Sequence, residues 1–251
     1  MKAMILAAGR GERMRPLTDT TPKPLLCAGG KPLIVWHLER LAQAGFRDIV
    51  INHAWLGPQL EEALGNGSRW GARIQWSPEP EGGLETAGGI ARALRWLGPD
   101  PFLVINGDIW CDWDPGVARR IATDLLARHA GAWLLLVANP DHHPEGDFWL
   151  AAGEDAPGPG MRRVFDRPGT ADAVRLTFSG IGIYRPELFA HIEPGQWARL
   201  APLLRTAMER GEVWGACHHG AWTDVGTPAR LARLDAALHA GQLPGCSARN
   251  Q

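Results

Sequence analysis

The chain opens on an unbroken apolar run, Ala3-Met4-Ile5-Leu6-Ala7-Ala8, that stops at Gly9. A short apolar run ended by a glycine predicts a parallel strand covered on both faces, which needs no polar alternation. A loop reaches from Gly9 to about Gly30. Pro32 then opens a helix with Leu33, Trp36, Leu38 and Leu41 near its apolar stripe, and Gly45 closes it. Strand-like runs return at residues 48–52, 73–77 and 102–105. Helical patterns fall between them at 58–64 and at 86–97, the second with Thr86 as its cap. Pro78 to Gly83 is a turn-rich loop.

Alternating strands and helices over the first 110 residues predict an α/β layered fold with a mostly parallel central sheet. Ligands of such sheets bind beyond the carboxyl ends of the strands. Two segments hold that position: Gly9 to Arg13 after the first strand, and Asp108 after the fourth. The second half is less regular. It predicts helices at 117–128, 200–210 and 227–240. Strands are predicted at 133–137, 176–179, 181–184 and 212–216, with an exposed hairpin loop at 152–160 and a frayed end over the last ten residues. With no repeat and no long linker, the expectation is one domain over 1–240, with halves of about 1–110 and 111–240, and a tail at 241–251.

Composition narrows the partners. There are 26 basic and 27 acidic side chains, a net charge of −1, in 251 residues that are 45% hydrophobic. Nothing in this balance points to nucleic acid or to a polybasic membrane anchor. The apolar start is too short for a signal peptide or a bilayer span, so a cytoplasmic location is expected. Cys27, Cys111, Cys217 and Cys246 show no metal-binding spacing and are expected to be reduced thiols.

Three segments carry candidate chemistry. The first runs Leu6-Ala7-Ala8-Gly9-Arg10-Gly11-Glu12-Arg13-Met14-Arg15-Pro16-Leu17-Thr18, followed by Pro22-Lys23-Pro24-Leu25. Small residues at a strand end let backbone N–H groups approach a phosphate chain, and Arg13, Arg15 and Lys23 add positive charge there. The glycines complete neither a dinucleotide fingerprint, since position 14 is Met14, nor a Walker loop, so an ordinary turn stays open. The second segment is Asn106-Gly107-Asp108, whose carboxylate suits a hard cation or, equally, a turn. The third is Trp222-Thr223-Asp224-Val225-Gly226-Thr227. By itself it reads as a helix entrance capped by Thr227 with Pro228 in the first turn.

Residues 6–25 closely resemble the signature of the nucleotidylyltransferases that activate sugar 1-phosphates, L-A-A-G-x-G-x-R-[ML]-x-P-L-T followed by P-K-P-L. The resemblance implies a Rossmann-like, three-layer nucleotidyltransferase domain of the GT-A-like kind. It implies that Leu6, Ala7, Ala8, Gly9, Gly11 and Glu12 wrap a nucleoside triphosphate. Arg13 would orient the leaving pyrophosphate, and Lys23 would stabilise the reacting phosphate. Asp108 and Asp224 would meet at Mg²⁺, since W-x-D-V-G-T closes the catalytic domain in that family. The stretch from Glu79 to Gly89 resembles the base-reading loop. It offers Glu79 or Glu81, backbone at Gly83, and Thr86, with Gly88 and Gly89 letting the next helix pack against the nucleotide.

Further segments resemble the branch that uses UTP and N-acetylmuramic acid 1-phosphate in peptidoglycan recycling. They include Ile51-Asn52-His53, Leu84-Glu85-Thr86 in place of a common L-G-T, Asn139-Pro140 with His142-His143, Gly146-Asp147-Phe148 and Leu176 to Ile181. By that resemblance Asn106 and Asp147 contact the sugar phosphate, and Ser179 and Gly180 lie beside the sugar. The family's E-K-P segment is replaced by Asp166-Arg167-Pro168, so its usual phosphate-binding lysine is missing. Arg199 or Arg205 is offered for the lactyl carboxylate, against plain surface roles. The expected partners are UTP and a sugar 1-phosphate, acting on a monomer. The competing readings are a mannose or glucose 1-phosphate transferase using GTP, dTTP or UTP, a catalytically silent regulatory subunit, and a dinucleotide-dependent dehydrogenase. The intact Arg13, Lys23, Asp108 and Asp224 weigh against the regulatory subunit, and the charged loop with Lys23 and the absent third glycine weigh against the dehydrogenase.

Overall fold

The computed structural model describes residues 1–153, 161–169 and 171–243. Strand β1 (Ala3–Leu6) leads through a short helix α1 (Leu17–Thr20) and a two-strand clip, β2 (Cys27–Ala28) and β3 (Lys31–Pro32), into α2 (Leu33–Gln43). Then follow β4 (Asp48–His53), α3 (Gly57–Leu64), β5 (Arg73–Pro78), α4 (Glu85–Leu97), β6 (Phe102–Asn106), β7 (Ile109–Cys111) and α5 (Ala118–Ala127). The second half contributes β8 (Ala132–Val137), β9 (Phe148–Leu150), β10 (Arg162–Phe165), β11 (Val174–Tyr184), α6 (Leu200–Glu209), β12 (Val213–His218), β13 (Trp222–Asp224) and α7 (Pro228–His239).

One sheet runs through both halves in the order β5-β4-β1-β6-β11-β8-β12-β10-β9. Strands β5, β4, β1 and β6 are mutually parallel. Strand β11 then enters antiparallel between β6 and β8, while β8 and β12 pair parallel. Helices cover both faces, and alternate strand residues therefore serve opposite layers. Ala3, Ile5, Ile49, Ile51, Leu103 and Ile105 pack with Ile34, Leu38 and Leu41 of α2 and Ile121 and Leu125 of α5. Met4, Val50, Val104 and Leu134 pack on the other face with Ile90 of α4 and Leu203 and Leu204 of α6. Burial on both sides is why these strands read as continuous apolar runs. A third cluster joins Met14, Leu26, Ala28, Leu33 and Trp36 to Trp110, Val225, Leu234 and Leu238. This small core ties the N-terminal loop to β7 and α7. Gly29 N donates to Asp235 Oδ1 at 2.8 Å and Trp36 Nε1 to Ala28 O at 3.0 Å across the same seam.

Several expectations are corrected. Helix α2 starts at Leu33, because Pro32 pairs with Cys27 in the clip. Thr86 does not cap α4: the helix begins at Glu85, after Leu84, with no side-chain cap. The two strands expected around Gly180 are one strand, β11, whose register against β8 shifts between Phe178 and Gly182. Gly180 takes a φ of 84° inside that irregularity. Strands β7 and β13 form a ribbon that the apolar pattern did not announce, since each is three residues long. Thr227 does cap α7, its Oγ1 accepting from Arg230 N at 3.3 Å. Most of the loop expected at 152–160, Cys246 and most of the expected tail lie outside the described residues.

Candidate active site

The parallel strands β1, β4 and β6 end on a common edge, and a cavity of about 350 Å³ opens there. Its walls are Leu6 to Arg10, Lys23, Pro24, Asn52, Glu79, Gly82 to Thr86, Asn106 and Asp108. A chain of hydrogen bonds fixes the strand ends to one another. Ala7 N donates to Asn52 Oδ1 at 2.8 Å, Asn52 Nδ2 donates to Glu79 Oε1 at 2.6 Å, and Leu84 N donates to Glu79 Oε2 at 2.8 Å. Burial pushes the Glu79 carboxyl above its ordinary range, while these two donors pull it back down. Between the two candidates, Glu79 lines the cavity and Glu81 is exposed outside it.

The glycines divide by role. Gly9 is open, with no atom within 4 Å of where a Cβ would stand, so backbone is accessible there. Gly11 has φ 72°, and a Cβ on it would lie 2.9 Å from Thr18 Cγ2. Thr18 is fully buried and donates Oγ1–H to Gly11 O at 2.8 Å, which locks the loop. Gly88 and Gly89 do not face the cavity as expected. A Cβ at Gly88 would meet Gln196 O at 2.3 Å, and one at Gly89 would meet Glu79 Oε1 at 2.5 Å. At both positions a side chain is excluded by neighbouring protein atoms.

Positive charge enters from three directions. Lys23 is buried, and its Nζ donates to Asp108 Oδ2 at 2.5 Å. Arg10 lies 3.5 Å from the centroid of the Trp55 ring and donates to Thr18 O at 3.0 Å. Arg13, Gly11 and Glu12 line a smaller depression of about 200 Å³ with Met14, Lys23, Asp108 and Gly226. Thus Leu6, Ala7, Ala8, Gly9, Lys23, Glu79, Gly83 and Thr86 meet in the main cavity, while Gly11, Glu12 and Arg13 border it through Lys23 and Asp108.

The β7–β13 ribbon brings the two aspartates together in the backbone. Asp224 is paired with Ile109, and Val225 N donates to Asp108 O at 2.9 Å. Asp224 Oδ2 accepts from Arg230 Nη1 at 2.9 Å and lies 3.4 Å from His142 Nε2. It faces a groove of about 850 Å³ that also holds Arg13, His142, Arg230 and Arg233. Below the ribbon, a ring nitrogen of the buried His37 donates to the Ile109 carbonyl. Desolvation lowers its pKa to about 4, so the ring is neutral at pH 7.

The sugar-side residues separate. Asn106 lines the cavity, and Gly180 abuts it: a Cβ there would be 2.7 Å from Asn106 Nδ2. Ser179 turns inward and its Oγ accepts from Ile181 N at 3.2 Å. Asp147 accepts from Phe178 N at 2.8 Å and lies 3.1 Å from His143 Nε2, so it braces β11. Arg205 donates to Asp166 at 2.7 Å. Sequence reasoning missed Arg10, Arg230 and the bracing role of Asn52. The signal for Asn52 was a polar residue ending an apolar strand. Arg230 left no signal, because its meaning depends on α7 folding back onto β13. Cysteine spacing also concealed a contact, since the ligand atoms of Cys111, Asp112 and His218 all lie within 4.8 Å of one another. There Asp112 and His218 satisfy each other at 2.6 Å, and burial pushes the Cys111 thiol up to about 12.

The nucleotidyl transferase family model matches residues 2–241. The chain is 58% identical to N-acetylmuramate alpha-1-phosphate uridylyltransferase of Neisseria meningitidis, over 94% of this chain and 97% of that one. It is 34% identical to the enzyme of the same name from Caulobacter vibrioides, over 94% and 96% of the two chains. A crystal structure from Bacillus anthracis, assigned as a glucose-1-phosphate thymidylyltransferase with bound sucrose, shares the fold. Its TM-score is 0.76, with 24% identity and 95% of each chain covered.

Proposed function

The chain belongs to the nucleotidyl transferase family, and on that premise we propose that it transfers UMP from UTP to N-acetylmuramic acid 1-phosphate, releasing pyrophosphate. The observation that carries the reaction type is the meeting of the open Gly9 loop, Lys23 and Asp108 in one cavity. The choice of base and sugar rests on the relative that is 58% identical along nearly its whole length. On this reading the enzyme works in the cytoplasm, in peptidoglycan recycling.

An oxygen of the sugar phosphate attacks the α-phosphorus of UTP. The new O–P bond forms as the bond to the bridging oxygen breaks, and that oxygen leaves with pyrophosphate. The second pKa of a phosphate is about 6, so the attacking group is already ionised near neutrality and needs no general base. What remains for the protein is alignment and neutralisation of charge. The backbone at Ala8 and Gly9 receives the phosphates, Lys23 stabilises the reacting phosphate, and Arg13 orients the leaving pyrophosphate. Glu79 holds the 80–84 turn against Asn52 and so shapes the base pocket.

The donor set fits a hard divalent cation. Asp108, in the turn before β7, and Asp224, on β13, supply carboxylate oxygens, and a Mg²⁺ ion characteristically takes one or two carboxylates plus substrate phosphates. Asp108 and Asp224 would hold it, and bound there it would neutralise phosphate charge as a Lewis acid. Until then each carboxylate is balanced by a side-chain cation, Lys23 or Arg230.

A panel of UTP, GTP and dTTP against N-acetylmuramic acid, mannose and glucose 1-phosphates tests the reading. The expected product is UDP-N-acetylmuramic acid. Strong GDP-mannose formation without it overturns the choice of substrates.

A further inference from the structure

Glu85 is one of three non-glycine residues, among those described, with positive φ, at 61°. It also lines the main cavity. Such a backbone persists in a non-glycine residue only where its surroundings over-determine it. They do so here. Leu84 N donates to Glu79, Ala198 N donates to Leu84 O at 3.1 Å, and Ala87 N and Gly88 N both donate to Ala198 O. The segment leading into α6 is therefore stitched to the rim of the cavity, and it carries Trp197 and Arg199.

Those two side chains have little to do within the fold. Trp197 is 55% exposed, the one aromatic among the large apolar side chains that the described residues leave exposed. The Arg199 guanidinium lies 5.2 Å from the Trp197 ring centroid, and its Nε is 3.9 Å from Glu85 Oε1, too far for a hydrogen bond. Arg205, the other arginine considered for a substrate carboxylate, is already committed to Asp166. The rim thus offers an apolar face beside a loosely held cation. The group that distinguishes N-acetylmuramic acid from its parent amino sugar has that composition: a lactyl ether with one methyl and one carboxylate.

We propose that Trp197 and Arg199 form the receptor for the lactyl group of the sugar substrate, with Glu85 as the resident counter-ion that the substrate carboxylate displaces. This rests on the muramate reading given above. An arginine can meet a carboxylate with two parallel N–H bonds, which a loose pair with Glu85 leaves available.

The test compares N-acetylmuramic acid 1-phosphate with N-acetylglucosamine 1-phosphate, which lacks only the lactyl ether, as substrates with UTP. In Arg199→Met, KM for the muramate substrate is expected to rise about 10- to 100-fold with kcat nearly constant, as for a lost charge-assisted contact made equally in ground and transition states. The preference for muramate over glucosamine, as a ratio of kcat/KM, should fall by the same factor. Arg199→Lys should restore part of it, since a lysine keeps the charge without the fork. The side chain is 66% exposed, so both variants should fold, and a thermal melt checks this. If the wild type prefers muramate and Arg199→Met keeps that preference, the receptor is wrong and the proposed function stands. If the wild type forms no UDP-N-acetylmuramic acid, the proposed function itself fails.

Discussion

The surroundings of Asp108 and of Asp224 differ in how they are built. Asp108 ends a strand–turn segment and finds its cation, Lys23, in the loop that follows β1. Its side-chain partner lies in the first half of the chain, and only its backbone carbonyl reaches the second, at Val225 N. Asp224 sits on a three-residue strand and finds Arg230 on the helix after it, with His142 arriving from the loop beyond β8. The first arrangement is made of turns that directly follow parallel strands. The second exists only where a ribbon, a helix and a loop cross. A site of the first kind is written into contiguous motifs, whereas one of the second kind depends on packing.

The comparison breaks first at the aspartates. Asp108→Asn and Asp224→Asn are each expected to lower kcat/KM about 10³-fold, the scale of losing one electrostatic contact to developing charge. Pyrophosphate release measures this. If Asp224→Asn stays near wild type while Asp108→Asn is inactive, the Asp224 region is structural only.

The cations sharpen it. Lys23→Met should cost about 10²-fold or more in kcat if, as proposed, Lys23 stabilises the reacting phosphate. Arg230→Met should instead appear in stability. It strands a half-buried carboxylate, at a cost of about 2–4 kcal/mol, discounted from a fully buried pair because Asp224 keeps some solvent. Urea unfolding reads the second and steady-state kinetics the first. Equal effects of both variants on both readouts would erase the distinction.

The last effect, which appears only on acidification, concerns the footing under the ribbon. His37 is buried and neutral with a pKa lowered to about 4, while in the unfolded chain it returns to about 6.5. As pH falls from 6.5 towards 4 the unfolded state binds a proton that the native state refuses. Stability therefore drops over that window, by up to about 3 kcal/mol, and the loss levels off below pH 4. Thermal melts from pH 7 to 4 should show a shallower decline in His37→Met than in wild type. An unchanged slope would mean that other groups set the acid response.

Much of the first half was legible before folding. The apolar runs at Ala3, Asp48 and Phe102 predicted parallel strands, and the structure supplies them as neighbours. The loop from Leu6 to Lys23 and the turn at Asp108 were visible as motifs and do share a cavity. Thr86 misled because a threonine before a helical run is a common cap, whereas Glu79 and Ala198 fix the start of α4 from outside it. Ser179 and Asp147 matched the family pattern, yet their polar atoms go to the irregularity in β11, which no local pattern encodes.

The sequence by itself determined the alternating α/β order, the glycine-rich loop with its basic residues, and the two motifs that carry Asp108 and Asp224. These are properties of contiguous residues: burial on two faces selects apolar runs, and backbone that must stay open or adopt positive φ selects glycine. Tertiary structure alone decided which of Glu79 and Glu81 faces the cavity, that Arg230 rather than a motif residue neutralises Asp224, and that Arg199 stands at the rim. Each of those depends on the separation of groups far apart along the chain. Charge and hydrogen bonding act over a few ångströms, and only the packed sheet and helices set such distances.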